Sequence, residues 1–144
     1  MATDDRCMYA FFVTPYLAQY FTNFLSSFAV IEHLIQASDV SHCMQHYTIY
    51  RKWNERFFQE CYRAYRAGRA TEDPCINWYE GEKAFYDYYI IPLAKKLKEC
   101  GVFGVSSSEY LDYAVRNRQE WEEHGKDTVE EMVRRVKELD DDQQ

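Results

Sequence analysis

The sequence predicts an all-α fold, a bundle of helices, and three observations carry that expectation. Apolar residues recur at offsets of three and four, β-type alternation is missing, and glycine or serine punctuates the apolar stretches. Val30, Ile31, Leu34 and Ile35 make one such face. Phe85, Tyr89, Leu93 and Leu97 make a second, and Val129, Met132, Val133 and Val136 a third. A chain of 144 residues is long enough for one domain with a real core and too short for two ordinary ones.

Composition narrows the class. Hydrophobic residues make up 47% and aromatics 17%, which excludes global disorder. The 13 Tyr and 9 Phe suggest helices that bury large rings while keeping phenol hydroxyls near water. A net charge of −7 argues against a nucleic-acid partner, which would require a basic stripe to neutralise phosphates. The basic run from Arg51 to Arg69 is interleaved with Glu and aromatics and reads as a solvated helix face. Five scattered cysteines (Cys7, Cys43, Cys61, Cys75, Cys100) lack any C-x2-C pair, so a reducing, cytoplasmic setting is expected.

Taken in order, Met1 to Arg6 is a polar end, and Tyr9 to Phe28 suits one helix interrupted near Pro15. Cys7 to Ile31 carries no charge and is long enough to span a membrane, yet seven polar or proline positions dilute it. Asp4 and Asp5 stand where a basic leader would be, so a buried helix or sequence from another reading frame is the preferred reading. Ala29 to Gln36 continues as helix and stops at Ser38 and Asp39. After a short irregular piece, a long helix is expected from about Gln45 to Arg69, with Ile49, Trp53, Phe57, Cys61 and Ala64 facing the core and Gly68 as its stop. Thr71 to Trp78 reads as a loop, and Tyr79 to Glu99 as a helix kinked by Pro92. Gly101 and Gly104 break the chain. Ser107 or Ser108 caps a helix reaching about Glu123, and a separate last helix spans Lys126 to Leu139 before an acidic tail. The organisation is thus 1–28, an apolar segment apart from the rest; 29–125, the main domain; and 126–144, a terminal helix and tail.

The chemistry concentrates in Ile31 to Phe58. An apolar turn runs into Asp39, and His42 and His46 follow at helical offsets. Carboxylate and imidazole together suit a divalent metal. On one continuous helix Asp39, His42 and His46 would share a face and make a self-contained zinc site. From residue chemistry alone, a lone Asp after a helix is more often a cap or turn residue than a ligand.

The same stretch resembles the late part of class I cyclic-nucleotide phosphodiesterase catalytic domains, of the HD type. Ala37-Ser38-Asp39-Val40-Ser41 followed by Tyr50-Arg51-Lys52-Trp53 is similar to that family's (A/S)-D-(I/L/V)-S and Y-x-x-W words. Phe85-Tyr86-Asp87-Tyr88-Tyr89-Ile90-Ile91-Pro92-Leu93 resembles its F-x-D-(F/Y)-x-x-x-P-L segment, and Asn117-Arg118-Gln119-Glu120-Trp121 its closing N-R-x-x-W. The likeness covers roughly residues 29 to 125 and omits the family's front half.

The resemblance implies hydrolysis of cAMP or cGMP to the 5′-nucleotide by a two-metal centre, usually zinc with magnesium or manganese, in which Asp39 is the last protein ligand. It places Glu82 where the family reads the purine edge with glutamine, and Phe85 where an aromatic stacks on the base. Phe57 closes the other side, Tyr50 and Asn54 face the pocket, and His42 stands where relatives carry Asn near the nucleotide. A carboxylate only accepts hydrogen bonds whereas glutamine also donates, so cAMP against cGMP stays open. The plainer alternative makes Phe57 and Phe85 core residues and leaves Glu82 exposed. Trp53 and Trp121 are expected as buried anchors, and Asp87 and Asn117 as helix–helix hydrogen-bonding residues. The H-x3-H motif, the later His-Asp pair and the general-acid histidine of the family have no counterpart in the sequence, so these residues alone are expected to be inactive. The competing expectation is a non-catalytic helical interaction or nucleotide-binding module, pairing with itself or with intact phosphodiesterase chains.

Overall fold

One long helix at the C-terminal end organises the molecule. The computed structural model describes residues 27–101 and 103–141, and the expected helix Tyr9–Phe28 and the apolar segment 1–28 fall almost wholly outside them. In chain order come α1 (27–39), a 3-10 turn (Ser41–Met44), α2 (Tyr47–Arg66), α3 (Pro74–Phe85), a π-helical turn (Tyr86–Ile90), α4 (Ile91–Cys100), a 3-10 turn (Gly104–Ser106) and α5 (Ser107–Asp141). No strand occurs among the described residues, so the all-α bundle is shown. Helices α2, α3 and α4 and the 3-10 turn after α1 all pack on α5. None of the described helices is long and apolar enough to cross a membrane.

The core is aromatic. Trp121 of α5 is fully buried and meets Tyr50 of α2 edge to face, with ring centroids 5.8 Å apart. Tyr50 meets Tyr86 in the same manner at 5.3 Å, and Phe58 meets Trp78 at 5.1 Å. Edge-to-face pairs add about 0.5–1.5 kcal/mol each beyond the area they bury. Both of these indole N–H groups are satisfied: Trp121 Nε1 donates to the Tyr79 carbonyl at 3.1 Å, and Trp78 Nε1 to Asn54 Oδ1 at 3.1 Å.

Four local expectations differ from the structure. First, α2 buries Tyr50, Asn54, Phe58 and Tyr62, not the face of Ile49, Trp53 and Phe57, which are exposed. The helix carries two aromatic stripes one residue apart, and the buried one holds polar atoms that find partners. Tyr50 donates to Glu82 at 2.8 Å and Tyr62 to Asp140 at 2.8 Å. Trp53 is therefore no buried anchor; it is 48% exposed.

Second, the expected loop 71–78 already contains the start of α3. Asp73 accepts the Cys75 N–H at 2.9 Å as N-cap, and Pro74 takes the first helical turn, where its missing donor costs nothing. Non-helical torsions at Asn77 mark a kink within that helix.

Third, the disturbance near Pro92 is a π turn just upstream of it. The extra residue moves the buried register to Tyr86, Ile90, Leu93 and Leu97, leaving Tyr89 largely exposed.

Fourth, α5 runs unbroken for 35 residues through the expected boundary at 126, so no separate helix starts at Lys126. Gly125 is buried inside it, and a Cβ there would lie 2.8 Å from the Trp121 ring and 3.0 Å from that of Tyr79. The glycine serves close packing and is not a stop. Gly68 and Gly101, by contrast, do end helices, each with a positive φ.

Candidate functional site

The segment after α1 is held by side chains from two other helices. The helix ends at Asp39, a 3-10 turn follows, Gln45 is extended, and His46 caps α2 by accepting the Thr48 N–H at 3.3 Å. Asn117 Nδ2 donates to the carbonyls of Cys43 at 3.0 Å and Gln45 at 2.7 Å, and the Tyr86 hydroxyl donates to the Cys43 carbonyl at 3.3 Å. Burial pushes the Cys43 thiol up to about 12, which leaves it un-ionised. Nearby, Arg118 grips Asp87 with two hydrogen bonds of 2.9 and 3.1 Å. Three words far apart in sequence, around Asp39, Phe85 and Asn117, therefore meet in space. Asp87 joins the π turn to α5 as expected, while Asn117 bonds loop backbone and not a second helix.

In front of this clamp lies a cavity of ≈ 810 Å³. That is within the ~300–1,000 Å³ usual for small-molecule sites. Asp39 and His42 border it on one side, and Phe85 of α3 contributes from another. The exposed stripe of α2 forms the remaining wall through Trp53, Arg56, Phe57, Glu60 and Arg63. Phe57 is 55% exposed, so this ring faces the cavity and is not core. The His42 ring lies 6.4 Å from that of Trp53, and burial lowers its pKa, keeping the imidazole neutral near pH 7. The Arg56 guanidinium lies over the Trp53 ring at 5.1 Å.

Of the seven residues expected at the site, four border this cavity: Asp39, His42, Phe57 and Phe85. Tyr50, Asn54 and Glu82 do not line it. Tyr50 and Asn54 are buried on the opposite stripe of α2, where Asn54 serves Trp78 and Tyr50 serves Glu82. Glu82 is part-buried, neither open to solvent nor in the cavity wall. Burial raises its carboxyl to about 7, against a smaller opposing effect of the Tyr50 hydrogen bond. Sequence reasoning missed Trp53, Arg56, Glu60 and Arg63 as cavity residues. Trp53 and Glu60 stand four before and three after Phe57, and Arg56 and Arg63 stand at the same spacings from Glu60, which was the available signal.

Comparison with family models, with curated proteins and with solved structures returns no match.

A metal centre does not fit the described residues on their own. Asp39 is an exposed carboxylate, and His42 borders the same cavity, but no three His, Cys, Asp or Glu side chains are grouped to hold an ion among the described residues. The face that Asp39, His42 and His46 would share on one continuous helix is broken by the extended Gln45, and His46 Nδ1 is engaged in capping α2. That removes the self-contained zinc site. Cys43, Cys61, Cys75 and Cys100 are free.

Proposed function

We propose that this chain is the C-terminal portion of a cyclic-nucleotide phosphodiesterase domain, and that its cavity takes the purine of cAMP or cGMP. The observation that carries the reading is the meeting of Asp39, His42, Phe57 and Phe85 at one cavity. These residues come from four successive elements, and the family resemblance singles out each of them. Stacking of a base against such rings is worth about 1–3 kcal/mol, and Phe57, Phe85 and Trp53 are the aromatic groups of the lining besides His42. Support also comes from the clamp by Asn117 and Arg118, which ties the third word of the resemblance to the first two.

Hydrolysis is the activity the resemblance attaches to the complete domain. One carboxylate supplies neither a two-metal centre nor a general acid, so the function proposed for these residues is to bind and orient the nucleotide. Glu82 acts behind the cavity through its bond to Tyr50 and not as a wall residue. The test is isothermal titration of cAMP and cGMP into the protein and into Phe57→Ala. Saturable binding weakened about tenfold by the substitution is expected for the loss of one stacking surface. Equal binding by both proteins would remove the purine from this cavity.

The non-catalytic interaction module has one observation in its favour. Ile31 and Ile35 of α1 present exposed apolar side chains four residues apart, a stripe suited to another helix. Concentration-dependent self-association in sedimentation, abolished by Ile35→Glu, would favour that reading.

A further inference from the structure

The α2 wall of the cavity carries charge as well as rings, and the charge is arranged unevenly. On the side of α2 that meets α5, the arginines are paired: Arg51 with Glu131 at 3.5 Å and Arg66 with Asp140 at 3.1 Å. Glu55 of the same helix is bound by Arg135. Arg56 and Arg63, on the cavity side, form no ion pair with a carboxylate among the described residues. Both guanidinium groups are exposed, and they are the cationic side chains in the cavity lining. Glu60 stands between them on the helix and pairs with neither, although spacings of three and four would permit it.

We propose that Arg56 and Arg63 form the anion end of this cavity, so that the ligand it holds best is a purine nucleoside 5′-monophosphate. The inference rests on the purine reading of the cavity and adds the group that binds the phosphate. Arginine presents a planar fork of donors that matches a phosphate bidentately, and a dianion gains more from two forks than a cyclic monoanion does. The two residues are two turns apart, roughly 10 Å of helix rise, so contact of both with one phosphate requires Arg56 to swing from the Trp53 ring toward Arg63. A base against Phe57 and Phe85 and a phosphate at Arg56 and Arg63 use adjoining parts of one wall. Asp39 and Glu60 remain as the carboxylates of the cavity, and Glu60 is the one that opposes the phosphate.

The experiment is titration calorimetry with 5′-AMP, cAMP and adenosine in low salt, on the wild type, the double variant Arg56→Gln/Arg63→Gln, and Glu60→Gln. Both arginines are exposed, so the double variant retains the fold, checked by its circular dichroism and melting temperature. The expected order is 5′-AMP over cAMP over adenosine, with about tenfold between the ends, falling as salt rises. The double variant brings 5′-AMP down to the adenosine level and leaves adenosine unchanged, while Glu60→Gln tightens 5′-AMP alone. Equal binding of 5′-AMP and adenosine by the wild type, or a preference that survives in the double variant, overturns the phosphate site and leaves the purine reading intact. Binding of none of the three compounds overturns both.

Discussion

Glu82 offers the sharpest physical test of the core. Its carboxyl is pushed up to about 7 from the ordinary 4.5, by burial first, with the Tyr50 hydroxyl acting in the other direction. A folded-state pKa above the unfolded one means that the native protein holds the extra proton between those two values. Stability is then full below about pH 4.5, falls as pH rises towards 7, and levels off above it. At about 1.4 kcal/mol per pH unit, ionised Glu82 costs the fold about 3 kcal/mol at pH 8. Glu82→Gln keeps the shape and still accepts from Tyr50, but has no charge to desolvate. The variant is therefore expected to melt roughly 6–12 °C higher than the wild type at pH 8 and at the same temperature near pH 4.5. Cys43, Tyr50 and Tyr86 all have raised pKa values and stay neutral throughout this window. His42, whose pKa is lowered by burial, tilts both proteins alike at acid pH, so the difference between the two melting curves isolates Glu82. A difference that does not change with pH, or a variant less stable at pH 8, would refute the reasoning.

Other substitutions test the packing and the clamp. Gly125→Ala should destabilise by about 1–3 kcal/mol in urea unfolding, because the new methyl meets the rings of Trp121 and Tyr79. If the glycine were only a weak point of the helix, alanine would instead stabilise by up to about 1 kcal/mol. Asn117→Ala removes two hydrogen bonds to the Cys43 and Gln45 carbonyls and should cost about 2–3 kcal/mol. It should also weaken nucleotide binding in calorimetry, since the turn bearing His42 loses its anchor. Unchanged affinity would separate the clamp from the site.

The sequence made some features legible and concealed others for identifiable reasons. Helical class followed from periodicity, and the ends at Gly68 and Gly101 followed from residues that tolerate a positive φ. The face of α2 did not. Ile49, Trp53 and Phe57 are the more apolar stripe, but the core took Tyr50, Asn54 and Tyr62, whose polar atoms found Glu82, Trp78 and Asp140 across 32, 24 and 78 residues of sequence. Such partners are invisible to a local pattern. The stretch around Pro74 was misleading for a related reason: a residue that usually interrupts a helix here begins one. The candidate site was legible only in part. The family words pointed to Asp39, His42, Phe57 and Phe85, which border one cavity, while helical periodicity assigned the stripe of Trp53 and Phe57 to the core and so hid the wall that carries Arg56 and Arg63.

The claim that the cavity is a purine site is tested most directly by nuclear Overhauser contacts between bound nucleotide and protein. With cAMP or 5′-AMP added in excess, the purine H2 and H8 protons should show contacts to the rings of both Phe57 and Phe85. Contacts to other rings alone, such as the exposed Tyr88, would contradict the account, as would a spectrum that nucleotide leaves unchanged.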